Sequence, residues 1–216
     1  MWEGSGSLNQ PMPEILIIDY GVGNIASVCT ALDALRVRYK VSSAPEDIAS
    51  ARAFILPGVG AFAEAMKNLE SRGIIEPLRR EVMENKKPLL GICLGMQVLA
   101  EDSTENGVHK GLGFIPGHVV RIPEAPEFPV PHVGWNEVAI QKKEPLFSNL
   151  DEGARFYFDH SYHFEAALEF VAATAGYGSD ITAAVQSGNI FGVQFHPEKS
   201  QTTGLKLIRA FVNHAL

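Results

Sequence analysis

The sequence predicts an α/β fold: a doubly wound, mostly parallel sheet flanked by helices, with an added antiparallel β part in the C-terminal half. Three observations carry that expectation. Over residues 14–100, short apolar runs alternate with stretches of helical spacing, the pattern of βαβ units. From Gly117 to Val193 the chain shifts to short β-rich runs, several parted by Pro- and Gly-rich joints such as 123–131. Finally, 216 residues, 46% hydrophobic and 20% charged, suit one sizeable α/β domain or at most two small ones, and no linker is strong enough to divide them.

Taken in order, residues 14–19 read as a buried strand and 25–36 as a helix with Ile25, Val28, Leu32 and Leu35 on its apolar face. Residues 53–56 read as a strand, 61–70 and 74–84 as helices, and 88–92 as a further strand. Leu94, Val98 and Leu99 give 94–100 helical spacing. The β-rich runs are 118–122, 137–140, 155–158, 170–175, 182–186 and 190–194. A last helix over about 203–214 buries Leu205, Ile208, Phe211 and Val212. Residues 1–13 are rich in Gly, Ser and Pro, without the basic start and apolar stretch of a signal peptide, and read as a flexible extension ahead of a domain over 14–216.

A net charge of −7 argues against nucleic acid as the main ligand, since phosphate binding needs a basic surface. No run approaches the length of a membrane span. Two cysteines, Cys29 and Cys93, make no disulfide framework, and a thiol nucleophile needs a reducing compartment, so a cytoplasmic protein is expected. Cys29 lies in the helical stretch 25–36 and reads as a small core residue. Gly21-Val22-Gly23 follows a strand, but the third glycine of a dinucleotide-binding turn would fall at Ala26.

The chemistry gathers elsewhere. Gly91-Ile92-Cys93-Leu94-Gly95 is the thiol version of the strand–turn–helix elbow that presents a nucleophile between small residues. At a helix N-terminus, free amides and the macrodipole favour the thiolate, the form that attacks. About a hundred residues later comes Phe195-His196-Pro197-Glu198. His196 can hold the thiol proton and return it to a leaving group, with Glu198 fixing the ring through its far nitrogen. An oxyanion needs amide donors. The N–H of Leu94 is one, and Pro57-Gly58-Val59-Gly60, either a plain turn or a second donor loop, offers that of Val59.

These residues resemble the class I (triad) glutamine amidotransferases. Gly111-Leu112-Gly113-Phe114-Ile115-Pro116-Gly117, Pro131-His132-Val133-Gly134-Trp135-Asn136 and Glu198-Lys199-Ser200 narrow the resemblance to the glutaminase subunits of imidazole glycerol phosphate synthases. The resemblance implies that Cys93 attacks the side-chain amide of glutamine, with His196 as base and acid and Glu198 as orienter. It also implies that Gln97, Glu105, Ser161 and Tyr162 hold the substrate. By itself Glu105 reads as a surface charge. It implies a heterodimer with a (β/α)8-barrel cyclase that receives the ammonia, touched by Asn24, Trp135 and Lys199. By themselves these three read as a helix cap, a core aromatic and a solvated lysine. No cofactor and no metal are implied. Asp159 and His163 depart from the family pattern, and the Pro57–Gly60 turn is expected to gate activity. The same class also serves the anthranilate and pyridoxal phosphate pathways, and a catalytically silent regulatory subunit is the reading from outside the enzymes.

Overall fold

Ile15–Ile18 forms strand β1 because four successive apolar residues leave no side for water, and all four are fully buried. A strand of that kind belongs in the middle of a sheet covered on both faces. The computed structural model describes residues 15–216, so the expected extension 1–13 lies outside the described residues.

After β1 the chain runs through α1 (Ile25–Ala34), β2 (Tyr39–Ser42), α2 (Pro45–Ser50), β3 (Ala53–Gly58), α3 (Phe62–Ser71) and α4 (Ile75–Arg79), which continues as one π turn (Arg80–Glu84). Then come β4 (Leu89–Cys93), α5 (Leu94–Gln97), β5 (Asp102–Ser103), β6 (His109–Lys110), β7 (Gly117–Arg121), β8 (His132–Glu137) and β9 (Ala139–Ile140). The last part is β10 (Arg155–His160), β11 (Tyr162–Ala166), β12 (Val171–Tyr177), β13 (Ser179–Ser187), β14 (Ile190–Val193) and α6 (Gln201–Ala215).

The main sheet has the order β2-β1-β3-β4-β14-β13-β12-β9. Strands β2 to β14 in that order are parallel, and the remaining three are antiparallel. This is the expected doubly wound sheet with its antiparallel addition. Side chains alternate between its faces. Ile15 and Ile17 meet Val28, Leu32, Ile208 and Phe211 of α1 and α6, whereas Leu16 and Ile18 meet Phe62, Leu69 and Leu78 of α3 and α4. Two small sheets, β11-β7-β5-β6 and β10-β8, stand beyond the main one.

Several sequence expectations need correction. Strand β2 and helix α2 escape the periodicity reading, because β2 is a half-exposed edge strand and α2 has only six residues. The expected strand 137–140 is the end of β8 plus the short β9, interrupted where the Val138 N–H donates to the Ala154 carbonyl. The expected helix 94–100 is the single turn of α5. Beyond it, the carbonyls of Val98, Leu99 and Ala100 accept the amides of Leu112, Phe114 and Gly113, so they are not free to extend a helix. The dipole expected behind Cys93 therefore shrinks to the amides of one turn. No helix among the described residues is long and apolar enough to cross a membrane.

Candidate active site

Strands β3, β4 and β14 lie side by side and parallel, so their carboxyl ends reach the same edge of the sheet, where sites of such sheets form. Gly58 is in register with Cys93, and Ile92 with Val193. The Val59–Gly60 turn, Cys93 and the segment leading to His196 are thus brought together by the sheet. Pro57 is tolerated inside β3 because β1 pairs only as far as Ile55, so no neighbour on that side calls for its missing N–H.

Cys93 ends β4 with φ 55° and ψ −112°, a left-handed conformation unusual for a residue with a side chain. Such backbone costs on the order of 1–3 kcal/mol and persists only where its surroundings enforce it. The flanking glycines do so. A Cβ on Gly95 would lie 1.8 Å from the Leu56 carbonyl oxygen, and one on Gly91 2.5 Å from that of Gly95. The elbow is pressed against its own helix and against β3, which is what turns the thiol out of the sheet.

His196 follows β14 and opens a 3-10 turn, Pro197–Lys199, that swings Glu198 back beneath the imidazole. Nδ1 of His196 lies 2.8 Å from Oε1 of Glu198. The Ser200 hydroxyl pins the turn by donating to the His196 carbonyl, and the Tyr157 N–H donates to Ser200 Oγ. Burial alone would lower the His196 pKa. Hydrogen bonding and charge interaction with Cys93 and Glu198 outweigh it, and the value is pushed up to about 10. The site thus favours a proton on the His196 ring, one that can later be given to a leaving group.

These groups open into a cavity of about 330 Å³, lined by Val59, Cys93, Leu94, Gln97, Glu105, Ser161, Tyr162 and His196 together with Gly60, Pro131, Asp159 and His160. Eight of the sequence candidates meet in it, and Glu198 stands directly behind. Gln97 Nε2 donates to the Tyr162 carbonyl at 2.9 Å and to Gln194 Oε1 at 3.1 Å, which leaves Oε1 of Gln97 as its group for a ligand. Glu105 is no stray surface charge: its Oε2 accepts the Phe62 N–H at 2.7 Å, at the N-terminus of α3. Asp159 has its side chain exposed at the rim, and its carbonyl oxygen is 4.0 Å from Cys93 Sγ. His163 is buried, its Nδ1 without a hydrogen bond among the described residues, and burial lowers its pKa.

Asn24, Trp135 and Lys199 do not line the cavity. Asn24 occupies the N-cap position of α1 but makes no side-chain cap bond, and α1 packs against the turn that carries Lys199. Trp135 is 42% exposed, not a core aromatic. It meets the Tyr157 ring edge-on, and Lys199 Nζ lies 5.6 Å over that same ring. Cys29 is half-buried and packs against the core, as expected.

Sequence reasoning missed four members of the neighbourhood. Gln194 is fully buried with Nε2 3.7 Å from Cys93 Sγ. His132 and His160 are buried and bonded to each other at 3.0 Å. Tyr157 joins Trp135 to Lys199. Three of them depend on one strand register: β8 and β10 set Trp135 opposite Tyr157 and His132 opposite His160. Gln194 instead follows β14, whose pairing with β4 carries it to Cys93.

The arrangement suits attack on a carbonyl-type carbon. A strained thiol shares a small cavity with a carboxylate-backed imidazole, and Glu105 of the same cavity suits a cationic head group. Comparison with known proteins agrees. The family model described as glutamine amidotransferase class-I matches residues 16–215. A Listeria monocytogenes protein named imidazole glycerol phosphate synthase subunit HisH is 47% identical over 197 residues, 91% of this chain and 94% of the relative. A Campylobacter jejuni protein named subunit HisH 1 is 47% identical over 198 residues, 92% of this chain and 98% of the relative. Among solved structures, one titled as a glutamine amidotransferase superposes with a TM-score of 0.72 at 24% identity, covering 93% of this chain and 98% of its own. The PurLQS structure from Thermotoga maritima gives 0.70 at 19% identity, with 94% and 99% covered. At such identities the two structures speak for the fold.

Proposed function

The chain belongs to the class-I glutamine amidotransferases, and on that premise we propose that it is the glutaminase subunit of an imidazole glycerol phosphate synthase, acting in histidine biosynthesis. One observation above all supports the chemistry: Cys93 and His196 line one cavity at the carboxyl ends of adjacent strands β4 and β14, with Glu198 bonded to the His196 ring.

Glutamine enters with its amino-acid head group toward Gln97 and Glu105, the ammonium at Glu105, and lies along Ser161 and Tyr162, partly against their backbone groups. The Cys93 sulfur attacks the side-chain amide carbon. The resulting oxyanion is met by the amides of Leu94 and Val59, and each such donor contributes roughly 3–4 kcal/mol of transition-state stabilisation. His196, holding the proton it has taken from the Cys93 thiol, passes it to the departing nitrogen. Ammonia leaves and a γ-glutamyl thioester remains. A water then gives its proton to His196 and its oxygen to the acyl carbon, which releases glutamate and restores the pair. Glu198 holds the ring in one tautomer and stabilises its positive charge throughout.

Ammonia released into water would be protonated and lost, so it passes directly to a (β/α)8-barrel cyclase in a heterodimer. That subunit makes imidazole glycerol phosphate and an aminoimidazole carboxamide ribonucleotide. Asn24, Trp135 and Lys199 face it. The setting is cytoplasmic. Activity awaits the docked cyclase and its nucleotide, with the 57–60 turn deciding whether the Val59 N–H faces the oxyanion.

Labelling with a glutamine-analogue electrophile tests the reading. Stoichiometric modification of Cys93 and none of Cys29 is expected. No labelling, even with the cyclase and its nucleotide bound, would establish a silent regulatory subunit instead.

A further inference from the structure

An unbroken series of hydrogen bonds runs from strand β8 to the nucleophile, and the chemistry above gives most of it no role. Its donor and acceptor roles are forced. Asn136 is fixed by donating through Nδ2 to the Gly176 carbonyl and accepting the Glu137 N–H at Oδ1, so Nδ2 also donates to His132 Nε2 at 3.3 Å. His132 Nε2 thus accepts, His132 Nδ1 donates to His160 Nε2 at 3.0 Å, and His160 Nδ1 donates to the Tyr162 carbonyl at 2.8 Å. Both rings are therefore neutral, in agreement with burial, which pushes His132 down to about 4 and His160 to about 3.

From its other side the same Tyr162 carbonyl accepts from Gln97, Gln97 donates on to Gln194 Oε1, and Gln194 Nε2 points at Cys93 Sγ, 3.7 Å away. Gln194 is fully buried, and its carbonyl and amino groups each have one partner in this series. A buried amide N–H aimed at sulfur favours negative charge there and restricts where the sulfur sits.

We propose that this series sets the position of the Cys93 sulfur, with Gln194 the donor that touches it and His132 a positioning residue acting from the strand that carries Trp135. The proposal rests on Cys93 being the reactive thiol. The series begins at Asn136 and His132 on β8, the strand that also carries Trp135, so it links that strand to the sulfur, and coupling along it is read from coupling energies.

The test reads the sulfur directly, as the rate of Cys93 alkylation by iodoacetamide in the isolated chain, followed by mass spectrometry so that Cys29 is counted separately. Gln194→Met keeps the length and removes the donor. His132→Phe keeps the stacking on Phe158 and Tyr177 and removes the donor to His160. Each is expected to slow alkylation about tenfold, the worth of one hydrogen bond to a charged atom. The double variant should be no slower than the slower single one, because both cut the same series. His132→Asn, which keeps an N–H near the Nδ1 position, should recover the wild-type rate to within about twofold. An unchanged rate in Gln194→Met, or effects that multiply in the double variant, overturns the proposal. If Gln194→Met fails to fold, equal rates for His132→Phe and wild type overturn it. Failure of the underlying reading looks different: wild-type Cys93 would not alkylate at all.

Discussion

Nδ1 of His196 lies 2.8 Å from Oε1 of Glu198, with only 2% of the histidine side chain and 1% of the glutamate side chain open to solvent. The other carboxylate oxygen has no hydrogen-bond partner among the described residues. The charge of Glu198 is therefore directed at a single ring nitrogen. Glu198→Gln keeps the shape but loses the charge and lets the amide donate to the ring, favouring the wrong tautomer. Turnover of glutamine should fall roughly 10²–10⁴-fold with little change in KM. Steady-state kinetics of the complex check this, and an unaltered kcat would remove Glu198 from the triad.

The paired histidines make a prediction about acid. His132 and His160 titrate near 6.5 when unfolded but are pushed down to about 4 and about 3 in the fold, chiefly by burial. The unfolded chain thus binds protons that the native state refuses. Their contribution to stability is complete above pH 6.5 and is lost as pH falls toward 4 and then 3, by up to about 1.4 kcal/mol per pH unit for each ring. Urea unfolding at pH 6.5, 5.5 and 4.5 should show that decline, and a shallower one in His132→Asn.

The elbow predicts a contrast between two glycines. Gly95→Ala drives a methyl into the Leu56 carbonyl and should cost roughly 3–5 kcal/mol or prevent folding. Gly176, in β12, has nothing within 4 Å of its would-be Cβ, and Gly176→Ala should stay within about 0.5 kcal/mol. Thermal melts of the two variants decide the matter.

Trp135 offers a half-exposed indole braced by Tyr157, with Lys199 over the tyrosine ring. If the cyclase docks there, Trp135→Ala should weaken the complex by about 2 kcal/mol or more, roughly thirtyfold in Kd, and leave the melting temperature of the isolated chain nearly unchanged. Titration calorimetry with the cyclase gives the first quantity and a thermal melt the second.

Much of this was legible in the sequence, for physical reasons that can be named. Buried strands such as Ile15–Ile18 and Leu89–Cys93 are continuous apolar runs, and the elbow and His-Pro-Glu carry their chemistry within a few residues. What escaped depends on distant partners. The half-exposed edge strand β2 has no apolar run. The expected helix 94–100 ends at Gln97: the amides of Leu99 and Ala100 bond three residues back, and the carbonyls of 98–100 go to amides from 112–114. Gln194 looks like one more residue in an apolar run until the pairing of β14 with β4 sets it beside Cys93. Glu105 likewise gains meaning only when its loop reaches the first turn of α3.

The most direct test of the central claim compares two nitrogen sources in the complex of this chain with its cyclase. Cys93→Ala should abolish glutamine-dependent formation of imidazole glycerol phosphate and leave synthesis from added ammonium salt at the wild-type rate. Retention of glutamine-dependent synthesis, or loss of both activities in an intact complex, would contradict it.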